Sequence, residues 1–281
     1  MRVIEVKSHP VDKYVRVERL PTLWCPGCGN GIVMHSLIRS IAKKISQGEL
    51  SEDQIVFVGG IGCASRIAMY VNFDSIRTAH GRTIPLATAI KILKPHMKVI
   101  VVGGDGDITG IGGNHLLHAM RRNMDLIVIV VNNMIYGMTG GQQSPMTPRG
   151  LYTTTTPRGN PERPLNLMKL AYAMNINFAA RGSVTHPHFL DEIFDRALSK
   201  RGFALVEVLS ICPEIFGRHI NIRSAKDLFI ELRRRIIIKR RPSIEESDYD
   251  WSRGFVIGIY IDQDNEGYVK SISNTRRGDL S

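Results

Sequence analysis

Val101–Pro148 reads VVGGDGDITGIGGNHLLHAMRRNMDLIVIVVNNMIYGMTGGQQSPMTP, and its reading decides the fold. Ile100–Val102 closes an apolar run of the buried-strand kind. Gly103-Gly104-Asp105-Gly106-Asp107 then turns the chain sharply. His115–Arg122 has helical spacing, and Leu126–Val131 is a β-branched run that fits a buried parallel strand ending in Asn132-Asn133. Ligands of an open parallel sheet bind beyond the carboxyl ends of its strands. Asp105 and Asn133, 28 positions apart, are therefore expected near each other at one sheet edge.

Those residue types suit a magnesium-bound diphosphate. Mg²⁺ takes octahedral oxygen ligands and usually binds one or two protein oxygens together with phosphate. Asp105 offers a carboxylate, Asn133 an amide oxygen, and the turn that follows a backbone carbonyl. Gly106 lets the backbone approach a phosphate, and the next helix N-terminus favours an anion. GDG alone is most simply a β-α turn with a capping Asp; the paired asparagines shift the balance toward a site.

Working outward, strands and helices alternate from about residue 25 to 215, which predicts a doubly wound parallel sheet. Gly31–Lys44, Pro85–Leu93, Leu167–Met174 and His188–Lys200 are expected helices. Ile55–Val58, Lys98–Val102, Phe178–Ala180 and Ala204–Leu209 are expected strands. We divide the chain into an extended N-terminal arm (1–22), an α/β domain (23–224) and a basic C-terminal extension (225–281). In the extension, Arg233-Arg234-Arg235 and Lys239-Arg240-Arg241 flank an isoleucine run, and Phe255–Ile261 reads as a strand of a terminal hairpin. The basic run is expected to be a solvated helix face, with a docking patch as the sharper alternative.

Composition sets the surroundings. Apolar residues make up 43% of 281, enough for a buried core. No apolar run reaches the roughly 18 residues needed to cross a bilayer, and no signal-peptide core opens the chain, so cytoplasm is expected. The net charge of +11 fits nucleic acid, an anionic membrane or an acidic protein. No nucleic-acid motif accompanies it, whereas steering of an acidic protein, or simple solvation, needs none.

The four cysteines are Cys25, Cys28, Cys63 and Cys212, each beside a glycine or proline turn. Four thiolates can make one tetrahedral site, for zinc or for an iron–sulfur cluster, and spacing does not choose between them.

The wording GDGDITGIGGNHLLHAMRRN and NNMIYGMTGGQQSP resembles the β subunit of 2-oxoacid:ferredoxin oxidoreductases, thiamine-diphosphate enzymes, from about Trp24 to Pro213. The resemblance implies Mg²⁺ on Asp105, Asn133 and Ile135. It implies a [4Fe–4S] cluster on Cys25, Cys28, Cys63 and Cys212. It sets Ile61, Gly62, Cys63, Ala64, Gly106, Asp107, Gly137 and Met138 along the thiamine diphosphate, with His80 on the cofactor's side. Arg66, in GCASR, is implied to face the substrate pocket and to grip the second carboxylate of 2-oxoglutarate, the wording being that of the 2-oxoglutarate-using or broad 2-oxoacid branch, which also accepts acids such as pyruvate. Gly137, adding no side chain, would leave room for a longer acid, with Met138 as the pocket's apolar wall.

The implied reaction converts 2-oxoacid, coenzyme A and oxidised ferredoxin to acyl-coenzyme A, carbon dioxide and reduced ferredoxin. The glutamate that promotes the thiamine ylid is implied to come from a partner subunit. Two alternatives remain open on the residues: a non-oxidative thiamine-dependent decarboxylase or synthase subunit, and a non-catalytic zinc-binding interaction protein.

Overall fold

Apolar β-branched runs have nowhere to go but the middle of a sheet covered on both faces. The computed structural model describes residues 9–248 and 250–276. Its strands are β1 (Ile55–Gly59), β2 (Asp74–Arg77), β3 (Lys98–Gly104), β4 (Ile127–Asn132), β5 (Phe178–Ser183), β6 (Ala204–Leu209), β7 (Ile236–Ile238) and β8 (Phe255–Asp262). Its helices are α1 (Asn30–Ser46), α2 (Ile67–Tyr70), α3 (Thr83–Leu93), α4 (Gly113–Arg121), α5 (Leu167–Ala173), α6 (Pro187–Ser199), α7 (Ala225–Arg235) and α8 (Tyr268–Arg276). Among the described residues the strands form one eight-stranded sheet in the order β2-β1-β3-β4-β6-β5-β8-β7. From β2 to β5 every pairing is parallel; β8 runs antiparallel to β5, and β7 is parallel to β8.

Every residue of β1, β4, β5 and β6 is buried, so both faces of the sheet's centre are covered. α1 and α6 pack together, pinned where Arg39 grips the Asp191 carboxylate with Nε and Nη2, both at 2.9 Å. Among the described residues no helix is long and apolar enough to cross a membrane.

Three elements differ from the sequence expectation. The edge strand β2 is largely exposed, so it leaves no apolar run to read. The described part of the N-terminal arm is not simply extended. It forms two 3₁₀ turns and packs on its own subunit, Tyr14 stacking on Phe73 at 5.3 Å and Arg16 N–H donating to the Tyr70 carbonyl at 2.8 Å. Residues 1–8 of that arm lie outside the described residues. The terminal hairpin does not form: β8 inserts beside β5 and carries β7 on its far side in parallel. The basic run is split between roles. Arg233 and Arg234 are exposed, whereas Arg235 pairs with Glu231 and lies 4.8 Å over the Trp251 ring.

β8 seats closely against the segment after β7. At Gly258 a Cβ would lie 2.0 Å from the Lys239 carbonyl oxygen and 2.6 Å from Pro242 Cδ. Gly258→Ala is therefore expected to destabilise the protein by about 1–3 kcal/mol through overpacking. A thermal midpoint equal to that of the parent would contradict this seating.

Candidate functional site

The site begins with register. β3 and β4 are adjacent and parallel, with Val102 opposite Ile129 and Gly104 opposite Val131. Their carboxyl ends therefore deliver Asp105 and Asn133 to the same cavity, which both line.

After Asp105 the chain makes a short π-helical turn, Gly106–Ile111, before α4. Such turns are rare and are frequent at functional sites. Asp105 is buried. Burial pushes its carboxyl up to about 7, against the opposing hydrogen bond donated by the Ser144 hydroxyl. A cation beside it would favour the carboxylate. Gly106 has no room for a side chain, because a Cβ would stand 2.2 Å from Tyr136 Cε1. The Tyr136 ring closes over that glycine, and its hydroxyl donates to the Gly106 carbonyl at 2.9 Å.

β4 ends in a turn with an unusual backbone. Met134 adopts φ +67°, a left-handed conformation that costs a non-glycine residue about 1–2 kcal/mol. Two side chains hold it there. Asn132 Oδ1 accepts from the Met134 N–H at 3.0 Å, and the Thr147 hydroxyl donates to the Met134 carbonyl at 2.7 Å. The strained turn carries Asn133 and Ile135 to the cavity wall.

Asp107 joins three loops. Its Oδ1 accepts from the Gly81 N–H at 2.7 Å and meets His80 Nδ1 in a short contact; its Oδ2 lies at the long limit of a hydrogen bond from Ser65. Gly60 is bare where a Cβ would strike Asp107 Oδ2 at 2.2 Å. Asp107 thus fixes both the Gly59–Cys63 loop and His80, which stays partly exposed on the cavity wall.

All four cysteines line this same cavity and are unpaired. Cys25 is exposed and the other three are half-buried. Burial raises the thiols of Cys28, Cys63 and Cys212, and Cys28, which also faces the charges of Cys212, Cys63 and Cys25, is pushed up to about 12. Without a cation these groups stay thiols, whereas metal ligation requires thiolates and deprotonates them. Among the described residues no three His, Cys, Asp or Glu side chains close into a ready metal-binding group, so the thiols share a cavity without forming a preset tetrahedron. The turns around them are ordered by hydrogen bonds. The Cys28 N–H donates to the Cys25 carbonyl at 3.0 Å, and the Trp24 indole donates to the Cys63 carbonyl at 2.8 Å. A Cβ at Gly137 would touch Cys212 Sγ at 3.4 Å, so this glycine is where the thiol end of the cavity meets the Asn133 turn.

The cavity therefore gathers Cys25, Cys28, Ile61, Gly62, Cys63, Ala64, His80, Asp105, Gly106, Asp107, Asn133, Ile135, Gly137, Met138 and Cys212. Arg66 is not among its lining residues. It ends the 3₁₀ turn behind Cys63, half-buried, where its charge lowers the Cys63 thiol against the larger effect of burial. Sequence reasoning passed over Tyr136 and Trp24, which also line the cavity. An aromatic next to a glycine in IYG was the available signal for Tyr136.

Comparison with known proteins adds independent weight. The family described as "Thiamine pyrophosphate enzyme, C-terminal TPP binding domain" matches residues 60–208. The 2-oxoglutarate synthase subunit KorB of Methanocaldococcus jannaschii is 41% identical over 264 residues, covering 94% of this chain and 96% of the relative. The subunit of the same name from Archaeoglobus fulgidus is 43% identical over 263 residues, covering 94% and 93%. A solved structure of 2-oxoglutarate:ferredoxin oxidoreductase from Magnetococcus marinus, with 2-oxoglutarate, coenzyme A and succinyl-CoA bound, superposes with a TM-score of 0.85 at 25% identity over 98% of this chain and 92% of that one.

Asp107 gives this geometry a direct test. Asp107→Ala strips acceptors from Gly81 N–H and His80 and is expected to destabilise by about 1–3 kcal/mol. Asp107→Asn keeps one carbonyl acceptor and is expected to lose less. Equal thermal midpoints for the two variants would show that these hydrogen bonds do not hold the loops.

Proposed function

The chain belongs to the β subunits of the 2-oxoacid:ferredoxin oxidoreductases, and from that premise we propose which residues of its cavity perform which part of the work. Thiamine diphosphate, the cofactor of the matched domain, supplies stabilisation of a carbanion when bound; the protein supplies position and electrostatics. The Asp105 carboxylate, the Asn133 amide oxygen and the Ile135 carbonyl would hold Mg²⁺, which would neutralise diphosphate charge. The observation that carries this reading is the convergence of these residues on one cavity at the carboxyl ends of β3 and β4. The donor set fits the ion: all oxygen, one carboxylate, with bare Gly106 alongside for the phosphates.

The chain's other residues orient and exclude. Ile61, Gly62 and Ala64 line one wall, and Met138, which is exposed, forms an apolar edge. Asp107 engages His80 Nδ1, which leaves Nε2 as the ring nitrogen able to hold or move a proton toward a bound molecule. Arg66 acts on Cys63 by its charge, and the grip on the second carboxylate of 2-oxoglutarate is its proposed role at the interface with the partner. Cys25, Cys28, Cys63 and Cys212 hold a [4Fe–4S] cluster, which would supply one-electron transfer toward ferredoxin. Four unpaired thiols facing one cavity, three of them raised by burial until a metal deprotonates them, support that assignment over four unrelated cysteines. The same wall disfavours a non-oxidative thiamine enzyme, which needs no electron relay. Unpaired cysteines also suit the reducing cytoplasm.

Asp105 and Asp107 are the only carboxylates among the described lining residues, and both are engaged within the chain. The acid that promotes the thiamine ylid is therefore supplied by a partner subunit, and the active site is an interface. The names of the relatives and the ligands of the Magnetococcus marinus structure support 2-oxoglutarate as the 2-oxoacid and coenzyme A as the acyl acceptor.

Two variants test the two ends of the cavity in the complex with its partner. Asp105→Ala is expected to weaken thiamine diphosphate binding at least tenfold, about 1.4 kcal/mol; unchanged affinity in folded protein would reject the metal site. Cys212→Ser is expected to lower iron content and to suppress ferredoxin reduction more than carbon dioxide release. Full iron with undiminished ferredoxin reduction would remove Cys212 from the relay.

A further inference from the structure

One buried ion pair lies inside the sheet, away from the cavity lining. Arg181 on β5 and Glu207 on β6 are opposite each other in register, and both side chains are wholly buried. Arg181 Nε donates to Glu207 Oε2 at 2.8 Å. Removing one partner of such a pair is costly, and a hydrophobic replacement of both is often neutral, so stability alone does not explain its presence.

Its remaining contacts lead in two directions. Glu207 Oε1 accepts from Asn132 Nδ2 at 2.8 Å. A carboxylate paired with a guanidinium offers acceptors only, so it turns the Asn132 NH₂ toward itself and the Asn132 carbonyl oxygen toward the Met134 N–H. That second bond is one of the two that hold Met134 at φ +67°. In the other direction, Arg181 Nη1 donates to the Ser247 carbonyl at 2.9 Å and contacts the Val256 carbonyl at 3.4 Å, and its guanidinium lies 5.7 Å from the Tyr260 ring centroid. Ser247, Val256 and Tyr260 all come from the C-terminal segment that puts β8 into the sheet.

We infer that Arg181, Glu207 and Asn132 form a buried positioning relay through which the C-terminal segment fixes the Asn133–Ile135 turn in the conformation that takes the metal diphosphate. The inference rests on the reading of Asp105, Asn133 and Ile135 as the metal end of the site and gives β8 a part in it. None of the three relay residues is among those lining the cavity. Each acts through the next: Arg181 holds the Glu207 carboxylate, Glu207 sets the Asn132 amide, and Asn132 holds a strained backbone. In the Glu207→Gln variant an amide replaces the carboxylate, so the acceptor no longer dictates which way Asn132 turns.

The test compares parent, Glu207→Gln and Asn132→Ser as complexes with the partner subunit. Mg²⁺ is titrated in the presence of thiamine diphosphate, and the thermal midpoint is measured with and without both. Altered groups behind a metal ligand typically cost about 10–100-fold in metal affinity. Both variants are expected to show that loss, and the rise in midpoint on adding Mg²⁺ and thiamine diphosphate should shrink. A merely structural role would lower the cofactor-free midpoint and leave the Mg²⁺ affinity of the folded protein unchanged; that result overturns the relay. Should Glu207→Gln fail to fold, Asn132→Ser, which keeps the Arg181–Glu207 pair, decides alone. A parent complex that binds no Mg²⁺ with thiamine diphosphate would instead reject the metal site itself.

Discussion

The parallel pairing of β3 with β4 is the constraint on which the rest depends. Register places Gly104 opposite Val131, and the residues just beyond them, Asp105 and the Asn132-Asn133 pair, emerge at the same edge. A one-residue slip would invert the side chains of a strand and separate the carboxylate from the amide. The fully buried β-branched residues of β4 resist that slip, because every one of them has neighbours on its own face. The placement of Asp105 beside Asn133 is thus set by ordinary core packing.

Strain and burial then tune what the register delivers. Met134 is held left-handed, burial raises the Asp105 carboxyl, and burial raises the thiols of Cys28, Cys63 and Cys212. Burial of the carboxyl and the thiols disfavours their charged forms, and a cation beside them would favour those forms. Gly106 and Gly137 keep the walls bare where Tyr136 and Cys212 approach. The two ends of the cavity share Gly137 as a boundary, so the Asn133 turn and the Cys212 thiol lie in adjoining space. Among the described residues, the two carboxylates that line the cavity, Asp105 and Asp107, are both hydrogen-bonded within the chain.

Much of this was legible in the sequence, for physical reasons that differ by element. The central strands announce themselves because a buried parallel strand is a continuous β-branched run, as in Leu126–Val131. The shared edge is legible because Asp105 and Asn133 follow the two strands of one β-α-β unit. β2 was not legible: an edge strand with exposed residues has no apolar signature. The position of β8 was not legible either, since its apolar run is equally consistent with a hairpin, and its partner β5 lies far back in the sequence. Arg181 and Glu207 read as ordinary charges in RGS and LVEVL; only their opposition across β5 and β6 shows a wholly buried pair. The placement of Arg66 behind Cys63 depends on a single 3₁₀ turn, which spacing does not disclose.

The central claim is that one chain carries the diphosphate end of a thiamine site and the thiol cradle of an electron relay in a single cavity. The most direct measurement is the iron, acid-labile sulfide and thiamine diphosphate content of the complex purified without oxygen. The account predicts about four iron and four sulfide atoms held by the four cysteine thiolates of each chain, as a [4Fe–4S] cluster requires, with thiamine diphosphate bound alongside. After subtraction of whatever clusters the partner subunit carries, zinc in place of iron at these cysteines, or iron without thiamine diphosphate, would contradict it.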